Sequence, residues 1–84
     1  MNNIIARKVN VTAQFAPVVS GTLVGTVTLT ALPSNAANVI LLGDTGNQVP
    51  LVPGEWHTFI SVNLADIQVK DAVGDAITVI GGSW

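Results

Sequence analysis

The chain has one histidine, His57, with a carboxylate two residues before it, Glu55. On a strand, positions 55 and 57 lie on the same face, so the two side chains can meet. Such a pair is half of an acid–base device, which also needs a nucleophile or a further proton partner within reach. Only Thr58 stands nearby in sequence, and a surface pair beside a turn is the simpler account. The remaining acids are Asp44, Asp66, Asp71 and Asp75. Asp71 and Asp75 bracket one turn, where carboxylates and carbonyls could take Ca²⁺. Their spacing departs from the alternate ligands and twelfth-position Glu of an EF-hand loop, and turn stabilisation accounts for both. Glycoside hydrolysis needs two facing carboxylates, but no spacing singles out such a pair. Asp44-Thr45-Gly46 spells an aspartic-protease signature, yet it lies between Gly43 and Asn47-Gln48, which is turn chemistry rather than an apolar active-site loop. Trp56 and Trp84 could stack on sugars. Beside a turn and at the C-terminal end, they serve equally as core or interface anchors, where Trp is a frequent hot spot. With no tyrosine and 5% aromatic residues, an aromatic binding platform is poorly supplied. There is no cysteine, hence no disulfide and no thiolate. No catalytic, metal or cofactor constellation emerges.

Composition points elsewhere. Eighty-four residues make one domain, residues 1–84. A domain of this size buries only about 60–65% of the surface its unfolded chain exposes. Yet 49% of the residues are hydrophobic, the mean hydropathy is +0.57 and 10% are charged. A monomer would leave much of that apolar surface wet, and large exposed apolar patches mark interaction sites. Burial between chains is the reading this favours, and oligomerisation is a common source of stability for a small domain without disulfides. The net charge is −2 and Arg7, Lys8 and Lys70 are the only basic side chains, which argues against nucleic acid. No polybasic segment suits a membrane surface. The longest apolar run, Val39–Leu42, is far short of the roughly 18 residues of a membrane span. Residues 1–5 lack the basic start and apolar core of a signal peptide.

The elements that would carry these residues are strands. Residues 4–15 alternate, with Val9, Val11, Ala13 and Phe15 on one side, until Ala16-Pro17 ends the strand. Val18-Val19 lie in the connection, as a contact surface or an edge segment tucked onto the core. A second strand, 22–32, sets Leu23, Val27, Leu29 and Ala31 against a row of Thr26, Thr28 and Thr30, with Gly25 marking a bulge or a close approach. Pro33–Ala37 is a loop that Ser34 could cap as one short helical turn. The stretch Val39–Val62 organises the rest: Val39–Leu42 as a central strand, a glycine turn at 43–47, Val49–Leu51 at an edge because of Pro50, a type II turn at Val52–Glu55, and Trp56–Val62. Both turns are expected to close hairpins. Asn63 caps a turn that Leu64 anchors inward. Strands follow at 67–70 and 76–80, around a turn with Gly74 in the left-handed conformation. About seven short strands with no amphipathic helix predict an all-β fold, a small antiparallel β-sandwich or barrel. Residues 1–5 would form an N-terminal arm and 81–84 a C-terminal tail.

Gly43-Asp44-Thr45-Gly46, Val49-Pro50-Leu51, Pro53-Gly54-Glu55, Val62–Ile67, Val69-Lys70 and Gly74–Val79 follow in order. This succession, over residues 39–80, resembles small all-β virion proteins of tailed bacteriophages, found as head decoration (cement) proteins and as accessory head or tail components. Lys70-Asp71 stands where the family often has a glycine after the Val-Lys pair. The resemblance implies a non-enzymatic structural protein on the capsid surface, self-associated and partnered with the major capsid protein across subunit junctions. A trimer would suit a three-fold junction. It implies no catalytic residue, metal or cofactor. The expected interface residues are Ile4, Ile5, Val18, Val19, Trp56 and Trp84. The alternatives are a carbohydrate- or receptor-binding module on a tail or fibre, with Trp56 and Asp44 at its loop tips, and a head–tail connector accessory protein. An enzyme is the remote third reading.

Overall fold

The computed structural model describes residues 3–83. Its described residues form eight strands and one 3₁₀ turn: β1 (Asn3–Asn10), β2 (Ala16–Pro17), β3 (Val24–Ala31), β4 (Val39–Leu42), β5 (Gln48–Leu51), β6 (Trp56–Asn63), the turn Leu64–Asp66, β7 (Gln68–Lys70) and β8 (Ala76–Ser83). They build two four-stranded antiparallel sheets packed face to face, ordered β1-β8-β3-β6 and β2-β7-β4-β5. The all-β sandwich expected from the alternation is the fold. Its eighth strand is Ala16–Pro17, which pairs with Val69 and Gln68 instead of merely ending β1. A two-residue edge strand tolerates the proline because only one side of it needs partners.

The period-two pattern explains the core. In β3, Val27, Leu29 and Ala31 are buried, and in β8, Ile77 and Val79 are, while the threonines between them are not. Val39, Leu51, Ile67 and Val69 meet them from the second sheet, and Leu64 plugs one end. Asn63 caps the 3₁₀ turn as anticipated: its Oδ1 accepts from Ala65 N at 3.1 Å and from Leu23 N at 3.1 Å.

Three expectations need correction. First, only the 43–47 turn closes a hairpin, pairing Leu42 with Gln48. The turn at Pro53-Gly54, with Gly54 at φ 89°, carries the chain from one sheet to the other. A type II turn splays its flanking strands rather than matching their twist, and here it is pinned to the end of β3 by Gly54 N to Ala31 O (2.8 Å) and Ala31 N to Glu55 O (2.9 Å). Second, there is no free N-terminal arm from residue 3 onward, because Asn3–Ile5 pair with Gly81–Ser83. Third, residues 81–83 are strand rather than tail. Gly81 and Gly82 let β8 pass tightly between its neighbours: a Cβ on Gly81 would strike the backbone of Thr26 and Val27. The loop at 33–37 forms a turn without a helix, closed by Asn35 N to Leu32 O at 3.0 Å.

Candidate interaction surface

The residues with chemical potential do not converge. His57 Nε2 lies 2.7 Å from Glu55 Oε2, and Glu55 also accepts from Val52 N at 3.1 Å. The hydrogen bond from His57, then that from Val52, holds the Glu55 carboxyl below the usual carboxylate range. Both side chains are open to solvent, and none of the hydrogen bonds among the described residues joins the imidazole to a third group. The pair buttresses the turn into β6.

Asp71 and Asp75 act as a structural tie. Asp75 accepts from Ala36 N (3.0 Å) and Ala37 N (2.9 Å), which lowers its pKa. Asp71 is buried. Its Oδ1 accepts from Val73 N at 2.8 Å and its Oδ2 has no partner. Burial first, and then the neighbouring Asp75, push its carboxyl up. Asn35 completes the tie, bonding both N and O of Ala76 through its side-chain amide. Sequence reading assigned these aspartates to their turn but missed Asn35, because a link across 41 residues leaves no local signature.

Asp44 sits in the β4–β5 turn and lines a pocket of about 370 Å³ together with Leu42, Gly43, Phe59, Val62, Asn63, Asp66 and Ile67. Trp56 lies at the other end of β6 and takes no part in lining it. The two residues expected to share a set of loop tips are therefore apart.

What does converge is a surface. In antiparallel sheets, directly opposed residues share a face. The register of the first sheet lines up rows on its outer side: Ala6, Ile80, Thr28 and Thr58 in one, Lys8, Thr78, Thr30 and Trp56 in the next, and Ile4, Gly82 and Thr26 in a third. Ile4 is 87% exposed, Ile60 73%, Trp56 62% and Ile80 58%. Lys8 is the only charged side chain in these rows. Thr28 and Thr58 join hydroxyls at 3.0 Å. Near the end of β6 the register slips: Val62 faces Gly25 and Phe59 faces Val27, so Ile60 and Ser61 together oppose Thr26. Ser61 takes φ 51° and its N–H donates to Thr26 Oγ1 at 3.0 Å, a β-bulge. Next to the bulge, Gly25 lets β3 approach β8, since a Cβ there would sit 2.6 Å from Gly82 O.

Of the expected interface residues, Ile4 and Trp56 lie on this exposed face. Ile5, Val18 and Val19 are 3–5% exposed and belong to the core of their own chain, so they offer no contact surface. Val18 N donates to Ile67 O at 3.0 Å, which draws the connection against the second sheet. Trp84 lies outside the described residues. The sequence reading left out Ile60 and Ile80, whose strand parity opposite the threonine row was the available signal. No known protein family, curated protein or solved structure matches the chain.

Proposed function

We propose that this chain is a non-enzymatic structural protein of a virion, a head decoration protein that self-associates and reinforces the capsid by bridging junctions between major capsid subunits. The observation that carries the assembly part of this reading is the outer face of the first sheet. It presents Ile4, Ile60, Ile80 and Trp56 amid threonines, with one charge, on a rigid hydrogen-bonded scaffold. Single surface hydrophobes are ordinary, whereas four large ones, each more than half exposed on one face of one sheet, point to an interaction site. The virion assignment rests on the turn-and-strand succession over residues 39–80, which resembles phage head and tail proteins. The five acidic residues lie in turns and connections between strands, where Glu55, Asp71 and Asp75 accept backbone hydrogen bonds. Imaging purified particles made with and without this protein tests the proposal. Added density at capsid subunit junctions supports it; density confined to the neck or tail, or none, refutes it.

A further inference from the structure

The two sheets treat their edges differently. In the second, the edge strands are the two-residue β2 and β5, which carries Pro50, and both are poor templates for another strand. In the first, the edges are the eight-residue β1 and the eight-residue β6. Each presents one side of its backbone without a strand partner among the described residues. β6 is interrupted only near its end, at the Ile60–Ser61 bulge.

The edges are also complementary. β1 carries Arg7 and Lys8, two of the three basic side chains, and no acid. β6 and the turn before it carry Glu55, Trp56 and His57, and no Lys or Arg. Strand direction alternates across β1-β8-β3-β6, so a β1 laid beside β6 in the sense that continues the sheet is again antiparallel. The pairing must also keep outer residues opposite outer residues. One register does most: Ile4 opposite Ile60, Ala6 opposite Thr58, and Lys8 opposite Trp56. It joins two exposed isoleucines, sets an ammonium against an indole, and leaves Arg7 opposite His57 and diagonal to Glu55 on the other face. It ends at Ile60, the first residue of the bulge, and does not run through Ser61.

We infer that a second copy of this chain docks its β1 edge against the β6 edge, extending the first sheet head to tail from copy to copy. The inference rests on the self-association proposed above and names its interface. Pairing of β1 with β1 is disfavoured, because it would bring two Arg7-Lys8 pairs together. A head-to-tail contact is heterologous, so it closes a ring or propagates a filament according to the rotation each copy adds.

The absence of cysteine makes the test direct. In the double variant Ala6→Cys/Thr58→Cys, the two new thiols of one chain lie on opposite edges of a four-stranded sheet. That separation is about 14 Å, twice what a disulfide spans. Cross-links under mild oxidation must therefore join different chains. The expected result is a covalent ladder, or a single closed species, with the double variant, and no more than trace dimer with either single variant. Dimers from Ala6→Cys or Thr58→Cys alone, matching the double variant in yield, would overturn the inference in favour of like-edge pairing. An oligomer by light scattering that fails to cross-link would overturn this interface while leaving self-association intact. A monomer by light scattering would remove both. Independently, Arg7→Glu should weaken association at least tenfold and Arg7→Glu/Glu55→Arg should recover part of it; equal association of the wild type and Arg7→Glu would count against the pairing.

Discussion

Replacing Gly81 with alanine tests whether β8 runs to Ser83 between β1 and β3. The added Cβ would meet Val27 Cα at 2.7 Å and the Thr26 carbonyl closer still. Carbon atoms pack comfortably at about 3.5–4.0 Å, so β8 and β3 would have to part by about 1 Å along a row of ladder hydrogen bonds. The obstructing atoms are backbone, with no side chain to swing away. Overpacking of this kind costs about 1–3 kcal/mol, occasionally more, and the rigid neighbours put Gly81→Ala at the upper end, about 3 kcal/mol. For a domain of this size each kcal/mol lowers Tm by roughly 4–8 °C, so a fall of about 12–24 °C is expected. Gly82→Ala is the internal comparison: its Cβ would face only Asn3 O at 3.2 Å, and about 1 kcal/mol is expected. Urea unfolding followed by tryptophan fluorescence, with thermal melts by circular dichroism, measures both. A free C-terminal tail would accept alanine at either position without loss. A Gly81→Ala variant within about 0.5 kcal/mol of the parent would refute the placement.

Leu64→Ala should cost about 2–5 kcal/mol in urea unfolding, because Leu64 is fully buried at one end of the sandwich. Asp71→Asn should stabilise the protein at neutral pH by about 1 kcal/mol, since it removes a buried charge with one unpartnered oxygen while keeping the acceptor for Val73 N. Its raised pKa means that Asp71 contributes stability while protonated and loses it as pH climbs above the ordinary carboxylate range, so the gain from Asn should shrink on acidification in pH-dependent melts. Asp75 has the opposite sign: its lowered pKa contributes stability above the ordinary range that is lost as pH falls, so Asp75→Asn should destabilise at neutral pH and progressively less in acid. Ile60→Ser should leave Tm within a few degrees, because the side chain is mostly exposed, while reducing self-association in sedimentation runs.

The strands and the core faces were legible because the alternation in β3 is strict, each buried residue two positions from the next, and Ile77 and Val79 repeat that spacing in β8. Gly25 announced a local irregularity, though the extra residue lies in β6 opposite the neighbouring Thr26, where Ser61 gives no sign of a left-handed backbone. Pro53-Gly54 declared a type II turn, but which sheet receives the following strand depends on bonds to Ala31, a partner more than twenty residues away. Val18 and Val19 were ambiguous for the same reason: two apolar residues in a connection look alike whether they cover their own core or another chain. Apolar termini suggested sticky ends, whereas Ile5 and Gly81–Ser83 are consumed by pairing with each other. The apolar face emerged only once register placed Ile4, Ile80, Ile60 and Trp56 on one side of one sheet.

The most direct measurement is the solution mass of the wild-type chain by light scattering at micromolar concentration, beside an Ile4→Ser/Ile60→Ser variant. A wild-type mass several times the 8.7 kDa of one chain, falling toward 8.7 kDa in the folded variant, is the result expected from assembly through the first sheet. A wild-type protein that remains at 8.7 kDa throughout would contradict it.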